Sequence, residues 1–200
     1  KPEDRKCPDI NKMLDWANIA KESIRKLNGD TYAVFGEEMW ERQWRDLFIN
    51  QTLEDALEAR ELAVWLQPQY NYVTGRITCA EVLCRWTHST LGWLSPMEFI
   101  PALEKTGQIK KLDNYVWEEA CRLIRRWKDS ETMIPICLSV NVSRIDVMEG
   151  SFLDTLDSLI EKYGLSPSDL HLEITEGAYM DRPEMLIDVV DQLHSHGFLV

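Results

Sequence analysis

Four short apolar stretches of the chain each contain a polar or charged side chain. They are WLQPQY with Gln67, AEVLCRW with Glu81 and Arg85, LSVNVS with Asn141, and LHLEITE with Glu173. Their length and their β-branched and aromatic residues predict buried strands. Because a buried polar group without a partner costs roughly 2–7 kcal/mol, we expect these side chains to face a common site. The mixture of acids, amides and a guanidinium indicates a site for a metal ion and a phosphate.

The alternation of side chains along a strand predicts that these groups share one face of a sheet. Successive side chains point to opposite faces, so each strand has a polar face and an apolar face. The polar faces are Cys79, Glu81, Leu83 and Arg85 in the second strand, Ser139, Asn141 and Ser143 in the third, and His171, Glu173 and Thr175 in the fourth. We expect the opposite, apolar faces to be covered by helices.

Glu81, Asn141 and Glu173 are the candidate metal ligands. They offer oxygen ligands from three neighbouring strands, a set that suits Mg²⁺ or Mn²⁺ better than sulfur or imidazole would. Taken singly, each is better explained as a core polar residue with a hydrogen-bond partner, and only their combination favours a metal site. Arg85 ends its strand and either binds a phosphate through both arms of its guanidinium or forms an ordinary surface ion pair.

Composition excludes some partners. The 200 residues include 22 Lys and Arg against 34 Asp and Glu, a formal charge of −12, so binding to nucleic acid polymers or anionic membranes is disfavoured. No signal peptide or membrane-spanning run is present. The five cysteines lack CxxC spacing, which suits a reduced cytoplasmic protein in which they fill apolar space. A membrane anchor further upstream is compatible with this prediction.

The predicted elements define three regions. The first contains a helix from Asn11 to Leu27 and a short strand from Thr31 to Phe35, and the second is one helix without Gly or Pro. The third alternates strands with helices, which is typical of parallel strands joined by crossover helices. The regions are residues 1–36, 37–60 and 61–200.

Local signals place the elements of the third region. Ser95 and Glu98 form a capping box, with Pro96 at the first helical position, and Gly107 ends that helix. Phe198 begins another apolar stretch that predicts a fifth strand. The remaining predicted elements are helices over residues 110–128 and 151–163, strands over 134–143 and 170–176, and a helix that is capped by Asp181 and Glu184 and ends at Gly197.

Five motifs in order resemble the EAL domain family of cyclic di-GMP phosphodiesterases. The signature is Glu81-Val82-Leu83 followed by Cys84-Arg85-Trp86, and the other motifs are LQPQY, GWLSPMEFIPALEKTG, SVNVS and LEITEGAYM. The resemblance runs from about residue 61 to 200. Valine replaces the family's usual alanine at position 82, which points away from the polar face, so we expect it to affect packing only. The resemblance implies an α/β fold, the N-terminal half of a TIM-type (β/α) barrel.

The resemblance also implies roles for individual residues. Glu81, Asn141 and Glu173 match the family's metal ligands in a two-metal Mg²⁺ or Mn²⁺ site, which further aspartates after Val200 would complete. The positions that match substrate-binding residues are Gln67, Leu83, Arg85 and Pro96, and Glu176 matches an acid that stabilises a loop beside the metals. Two of these positions have an alternative explanation without a functional role. Gln67 is also compatible with hydrogen bonds to neighbouring backbone groups, and Glu176 with a solvated acid in a loop.

The region before the barrel resembles the end of a GGDEF domain, the usual upstream neighbour in this family. We interpret residues 1–36 as a C-terminal GGDEF remnant, residues 37–60 as a connecting helix and residues 61–200 as the N-terminal half of the EAL domain. The resemblance implies hydrolysis of cyclic di-GMP to the linear dinucleotide by the intact bacterial protein, and inactivity of residues 1–200 alone. Because half a barrel leaves open sheet edges, we expect these residues to be poorly stable or to associate, for instance as a homodimer through the EAL segment or the helix.

Two other functions remain open at this point. One is a cyclic di-GMP receptor without catalytic activity, and the other is an interaction scaffold that uses the aromatic helix from Met39 to Phe48. The i, i+2 spacing of His194 and His196 argues against a metal site there. For His171, near the start of its strand, we expect a packed or ion-paired side chain.

Overall fold

The computed structural model describes residues 9–24, 32–130, 136–174 and 183–200. Glu176 and Thr175 lie outside these ranges, as do Asp181 and the predicted strand residue Thr31. The chain forms two compact units, Lys1–Gln51 and Thr52–Val200. Each unit is described separately.

The first unit contains helix α1 (Ile10–Ile24) and most of helix α2 (Glu37–Glu58). Trp16 stacks on Phe35 with 5.1 Å between ring centroids, and Trp44 stacks on Phe48 at the same distance. The prediction of a strand over residues 31–35 is wrong for its described part, because residues 32–36 belong to no strand. A strand needs a hydrogen-bonded neighbour, and the described part of the chain provides none for this segment.

The second unit is built on a mixed sheet with the strand order β1-β2-β4-β5, in which β3 also pairs with β2. β2 pairs with β4 and β4 with β5 in parallel, as predicted. Leu199 adds a parallel bridge to His171, which agrees with the predicted start of a fifth strand. The strands are β1 (Leu62–Tyr70), β2 (Ile77–His88), β3 (Gly92–Leu94), β4 (Cys137–Val142) and β5 (Leu170–Ile174).

The first pair of strands departs from the expected parallel arrangement. β1 and β2 are antiparallel, because the segment that joins them is a hairpin loop and not a crossover helix. The side chain of Asn71 accepts hydrogen bonds from the backbone N–H groups of Val73 and Thr74, at 3.0 Å each. Gly75 adopts a left-handed φ of 65° that favours glycine. Asn and Gly at these positions are turn formers.

Helices cover the apolar face of the sheet, and their ends follow the predicted caps. The capping box of Ser95 and Glu98 is present, with Pro96 at the helix start and Gly107 in a left-handed conformation at the end. Helix α4 packs against β1, β2 and β4. The helices of this unit are α3 (Pro96–Thr106), α4 (Ile109–Lys128), α5 (Arg144–Glu149), α6 (Phe152–Tyr163) and α7 (Pro183–Ser195).

The core lies between the apolar face of the sheet and these helices. Trp86 on β2 is fully buried and contacts Phe99 of α3 edge-on, with ring centroids 5.6 Å apart. Trp117 of α4 is also fully buried, and its Nε1 donates to the backbone oxygen of Asn141 at 3.0 Å. Truncating a buried aromatic residue of this kind to alanine costs about 3–5 kcal/mol. The α/β fold that was predicted from the sequence is confirmed.

The cysteines are not all apolar filler. Cys79 of β2 and Cys137 of β4 form a disulfide between adjacent strands, so the prediction is wrong for this pair. They are directly opposite one another in the register, and sequence spacing carries no information about that register. Cys121 is buried and Cys84 is half-buried, as filler residues would be. Burial raises the pKa of each of these two thiols to about 12.

Candidate metal and phosphate site

The three predicted metal ligands lie on one face of three adjacent strands. Asn141 of β4 is directly opposite Glu173 of β5, and Glu81 of β2 is opposite Ser139, two residues before Asn141. Directly paired residues share a face, and residues two apart on one strand do so as well. All three side chains are half-buried, which leaves them accessible to an ion.

Amide groups bind both carboxylates. Asn141 donates from Nδ2 to Oε1 of Glu81 at 3.1 Å. Gln69 donates from Nε2 to Oε1 of Glu173 at 3.3 Å. Each of these hydrogen bonds occupies one oxygen of its carboxylate and leaves the other oxygen for an ion. Asn141 donates through its nitrogen, so its amide oxygen also remains for an ion. Two carboxylates and an amide oxygen are the donor set of a hard divalent cation, so these residues fit Mg²⁺ or Mn²⁺.

Gln69 was not predicted as a site residue. The predicted residue, Gln67, is directly opposite Glu81 and exposed, so it lies on the expected face. Gln69 lies on the same face two residues later, and it is the glutamine that contacts Glu173. The sequence LQPQY could have identified it, because residues two apart on a strand, such as Gln67 and Gln69, point to the same face.

Arg85 lies on an aromatic side chain and not in an ion pair. Its guanidinium carbon is 6.0 Å from the ring centroid of Trp65, and Nη1 donates to the backbone oxygen of Cys84 at 3.0 Å. In the described part of the chain no carboxylate forms a salt bridge with it. The surface ion pair that we considered is therefore not found, and stacking on Trp65 holds the guanidinium while leaving donors for an anion.

Leu83 and Pro96 were predicted to line a nucleotide groove. Leu83 is half-buried opposite Trp65 and shares a strand face with Glu81 and Arg85 by parity. Pro96 starts α3 two residues after Leu94, which pairs with Trp86 at the end of β2. Both residues thus lie near strand segments of the polar site.

A second acidic group is buried behind the polar face. Asp146 of α5 closes a capping box on Ser143: its Oδ2 accepts from the Ser143 backbone N–H at 3.2 Å. Asp113 of α4 is buried beside it. Burial, reinforced by hydrogen bonding to Asp146, raises the pKa of Asp113 well above its usual value. Within the described residues Asp113 Oδ2 and Asp146 Oδ1 have no hydrogen-bond partner.

The histidines outside the polar face have structural contacts. His196 Nδ1 is 2.7 Å from Oδ2 of Asp157, while His194 is exposed. His88 is buried and its Nε2 is 2.9 Å from Oγ1 of Thr52. Its Nδ1 accepts hydrogen bonds from the backbone N–H groups of Thr90 and Leu91.

A model of the EAL domain family matches residues 50–200 of the chain. The chain therefore belongs to the EAL domain family, because this match includes all five strands and every residue of the polar site. The fold of the second unit is the α/β, TIM-type barrel fold of EAL structures.

Three comparisons give the degree of similarity. The bifunctional diguanylate cyclase/cyclic di-GMP phosphodiesterase MucR of Pseudomonas aeruginosa is 31% identical over 187 residues, which are 94% of this chain and 27% of MucR. The cyclic di-GMP phosphodiesterase PA2567 of the same organism is 34% identical over 166 residues, 81% of this chain and 28% of that protein. The solved structure of PaMucR phosphodiesterase in complex with c-di-GMP gives a TM-score of 0.69 at 31% identity, covering 75% of this chain and 60% of that one.

The chain thus spans about a quarter of the length of these curated relatives, whose shares are 27% and 28%. In the described part of the chain, no helix combines the length and the apolar character that crossing a membrane requires.

Proposed function

We propose that this chain is part of a metal-dependent phosphodiesterase that hydrolyses cyclic di-GMP to the linear dinucleotide. The observation that supports this most is the alignment of Glu81, Asn141 and Glu173 on one face of three neighbouring strands. The relatives named as cyclic di-GMP phosphodiesterases support the choice of substrate.

Glu81, Asn141 and Glu173 would hold Mg²⁺ or Mn²⁺ through their oxygens. Such ions, when bound in pairs, supply positive charge for an in-line displacement at phosphorus. The chain's own contribution is orientation: Asn141 and Gln69 hold the two carboxylates through amide hydrogen bonds. Trp117 fixes the backbone of β4 at Asn141.

The remaining residues would bind the substrate. Arg85, held over Trp65, would donate to a phosphate with charge-assisted hydrogen bonds. Gln67 would contact the ligand beside Glu81, and Leu83 and Pro96 would form apolar walls of the groove. Glu176 would stabilise a loop beside the ions, as its position in the family motif suggests.

We also infer the domain organisation from the extent of the matches. The similarity to MucR covers 94% of this chain, whereas the EAL model begins at residue 50. The name of MucR includes diguanylate cyclase activity, which supports residues 1–36 as the end of a GGDEF domain and residues 37–60 as a connecting helix. A cytoplasmic location and a homodimer remain predictions of the same interpretation.

The test is product formation by the full protein that contains this chain. We expect chromatography to show the linear dinucleotide with Mg²⁺ or Mn²⁺ and no product after chelation. Glu81→Gln should lower kcat by more than about 10²-fold, the size of effect expected when a charged contact to a transition state is lost. Glu161→Gln, an exposed glutamate on α6, is the matched control and should keep full activity.

Arg85→Ala separates binding from chemistry. In this proposal Arg85 contacts a phosphate of the substrate and does not contact the ions. We therefore expect KM to rise about 10- to 100-fold, the effect of losing a hydrogen bond to a charged group, and kcat to change less. A protein that binds cyclic di-GMP but forms no product with either ion would be a receptor, and the phosphodiesterase proposal would be wrong.

A further inference from the structure

Two thiol side chains and an imidazole meet on the polar face of the sheet, outside the set of carboxylates and amides. Cys79 is on β2, Cys137 is the first residue of β4 and His171 is on β5. The two sulfurs and a ring nitrogen of His171 all lie within 4.8 Å of one another. The proposed reaction uses none of these groups.

We propose that, when Cys79 and Cys137 are reduced, they bind a thiophilic divalent cation of the Zn²⁺ class together with His171. Two thiolates and one imidazole are a ligand set that selects zinc-like ions and not Mg²⁺. The site is therefore chemically distinct from the oxygen ligands of Glu81, Asn141 and Glu173.

The geometry fits a small tetrahedral ion. Zinc binds sulfur at about 2.3 Å and imidazole nitrogen at about 2.0–2.1 Å, so its ligand atoms lie about 3.5–4 Å apart. Separations within 4.8 Å reach that range by small side-chain rotations. The strands hold the backbone in place, since Cys79 and Cys137 are direct partners with Cα atoms 4.6 Å apart.

The imidazole of His171 is available, whereas Cys137 Sγ lies 3.3 Å from the backbone oxygen of Thr78, a contact that a bound ion would replace. Within the described residues the ring of His171 makes no hydrogen bond and no ion pair, and it is half-buried, so of the two expected environments, packed or ion-paired, the ion-paired one is not found. Cys79 is 6% exposed, which shields an ion from water. Cys137 also lines a pocket of about 440 Å³ with Ser168 and Asp169, and this pocket provides a path from solvent.

The disulfide between Cys79 and Cys137 is the oxidised form of the same pair. Its formation removes two protons and two electrons from the thiols, and an oxidant such as hydrogen peroxide accepts the electrons. The sulfurs then no longer exist as thiolates, so the oxidised protein lacks two of the three ligands. The reduced pair of cysteines would therefore bind the ion, and the oxidised pair would form the disulfide.

The two sites are adjacent on the same strands. Cys79 precedes Glu81 by two residues, and His171 precedes Glu173 by two, a separation of about 6–7 Å along a strand. No ligand is shared, so substitutions can remove one site and retain the other. This makes the inference testable independently of the phosphodiesterase activity.

The experiment uses Co²⁺ as a spectroscopic probe in the full protein. After reduction and removal of the reductant without oxygen, we expect Co²⁺ to produce thiolate-to-cobalt charge-transfer absorption, which Zn²⁺ abolishes by displacement and Mg²⁺ does not. Cys79→Ser and Cys137→Ser should lose the absorption, and His171→Ala should weaken Zn²⁺ affinity by more than about tenfold. Cys84→Ser changes a cysteine on the opposite face of β2 and should leave the spectrum unchanged, as should Glu81→Gln.

Wild-type protein oxidised with hydrogen peroxide is a control that needs no substitution. It should show no charge-transfer band, and reduction should restore the band. The proposal is overturned if reduced wild-type protein gives no such band. It is equally overturned if the band survives Cys79→Ser, or if His171→Ala leaves both spectrum and affinity unchanged. Loss of the band in Cys79→Ser or Cys137→Ser with unchanged phosphodiesterase activity would still support the site.

Discussion

Two groups of acidic side chains in this protein have opposite environments. Glu81 and Glu173 are half-buried on the polar face, and each accepts a hydrogen bond from an amide. Asp113 of α4 and Asp146 of α5 are buried, and each has a carboxylate oxygen without a hydrogen-bond partner in the described part of the chain. The first pair is partly accessible to solvent, whereas the second is enclosed in the core.

This difference shows that a pair of carboxylates is not in itself a metal site. Neutral amides donate to the glutamates without cancelling their charge, so the site keeps its attraction for a divalent ion. Asp146 instead caps α5 at Ser143, and Asp113 is buried beside it, so both aspartates are part of the core. Substitutions in the two groups should therefore change different measured quantities.

Asn141→Ala should produce the largest effect, and it should appear in activity. We expect kcat/KM of the full protein to fall by about 10²- to 10³-fold, because the substitution removes a proposed ion ligand and the hydrogen-bond partner of Glu81. The matched control is Ser139→Ala, on the same face of β4, whose buried hydroxyl lacks a partner in the described part of the chain. Equal losses from the two substitutions would contradict the assignment of Asn141.

Asp146→Ala should act mainly on stability. It removes the capping box of α5 and leaves the Ser143 N–H buried without its acceptor, so we expect the free energy of unfolding to fall by roughly 2–4 kcal/mol. Denaturant unfolding followed by circular dichroism measures this. A fall of less than about 0.5 kcal/mol, the range of ordinary surface substitutions, would show that the group is not part of the core.

Asp113→Asn should change the pH dependence of stability. The pKa of Asp113 is raised in the folded state by burial and by Asp146, so between the ordinary aspartate pKa of about 3.9 and the folded value the folded state binds more protons. The contribution of Asp113 to the stability of the wild-type protein is then fully present at low pH and falls by about 1.4 kcal/mol per pH unit as pH rises through this window.

Asparagine resembles the protonated carboxyl and does not titrate, so the variant should lack this fall. We therefore expect Asp113→Asn to be more stable than the wild type at neutral pH, with the difference shrinking in acid. Urea unfolding at several pH values measures both curves. Parallel curves for the two proteins would rule out a raised pKa at Asp113.

Gln69→Ala should have the smallest effect. Its hydrogen bond to Glu173 is exposed, so we expect a loss of less than about 1 kcal/mol in stability and a change of only a few fold in kcat/KM. Gln67→Ala on the same strand is the comparison, and it should raise KM without affecting Glu173. A larger loss of kcat for Gln69→Ala than for Asn141→Ala would invert the proposed roles of the two amides.

The sequence predicted the local features of this unit because they depend on neighbouring residues. The capping box at Ser95 and the break at Gly107 follow from side chains within one helical turn. The shared face of Glu81 and Arg85 follows from strand parity. The hairpin after Tyr70 was not predicted, although Asn71 and Gly75 are turn formers. The reason is that strands and helices alternate further along the chain, and the same alternation was assumed for β1 and β2, which no helix separates.

What the sequence by itself determined is which side chains share a face of each strand and where helices begin and end, since both depend on backbone periodicity. Only the tertiary structure decided the register between strands. That register brings Cys79 against Cys137 across 58 residues of sequence, and Gln69 to Glu173 across 104. The physical reason is that register is set by hydrogen bonds and packing between strands distant in sequence, and no pattern within either strand records which residue it will meet.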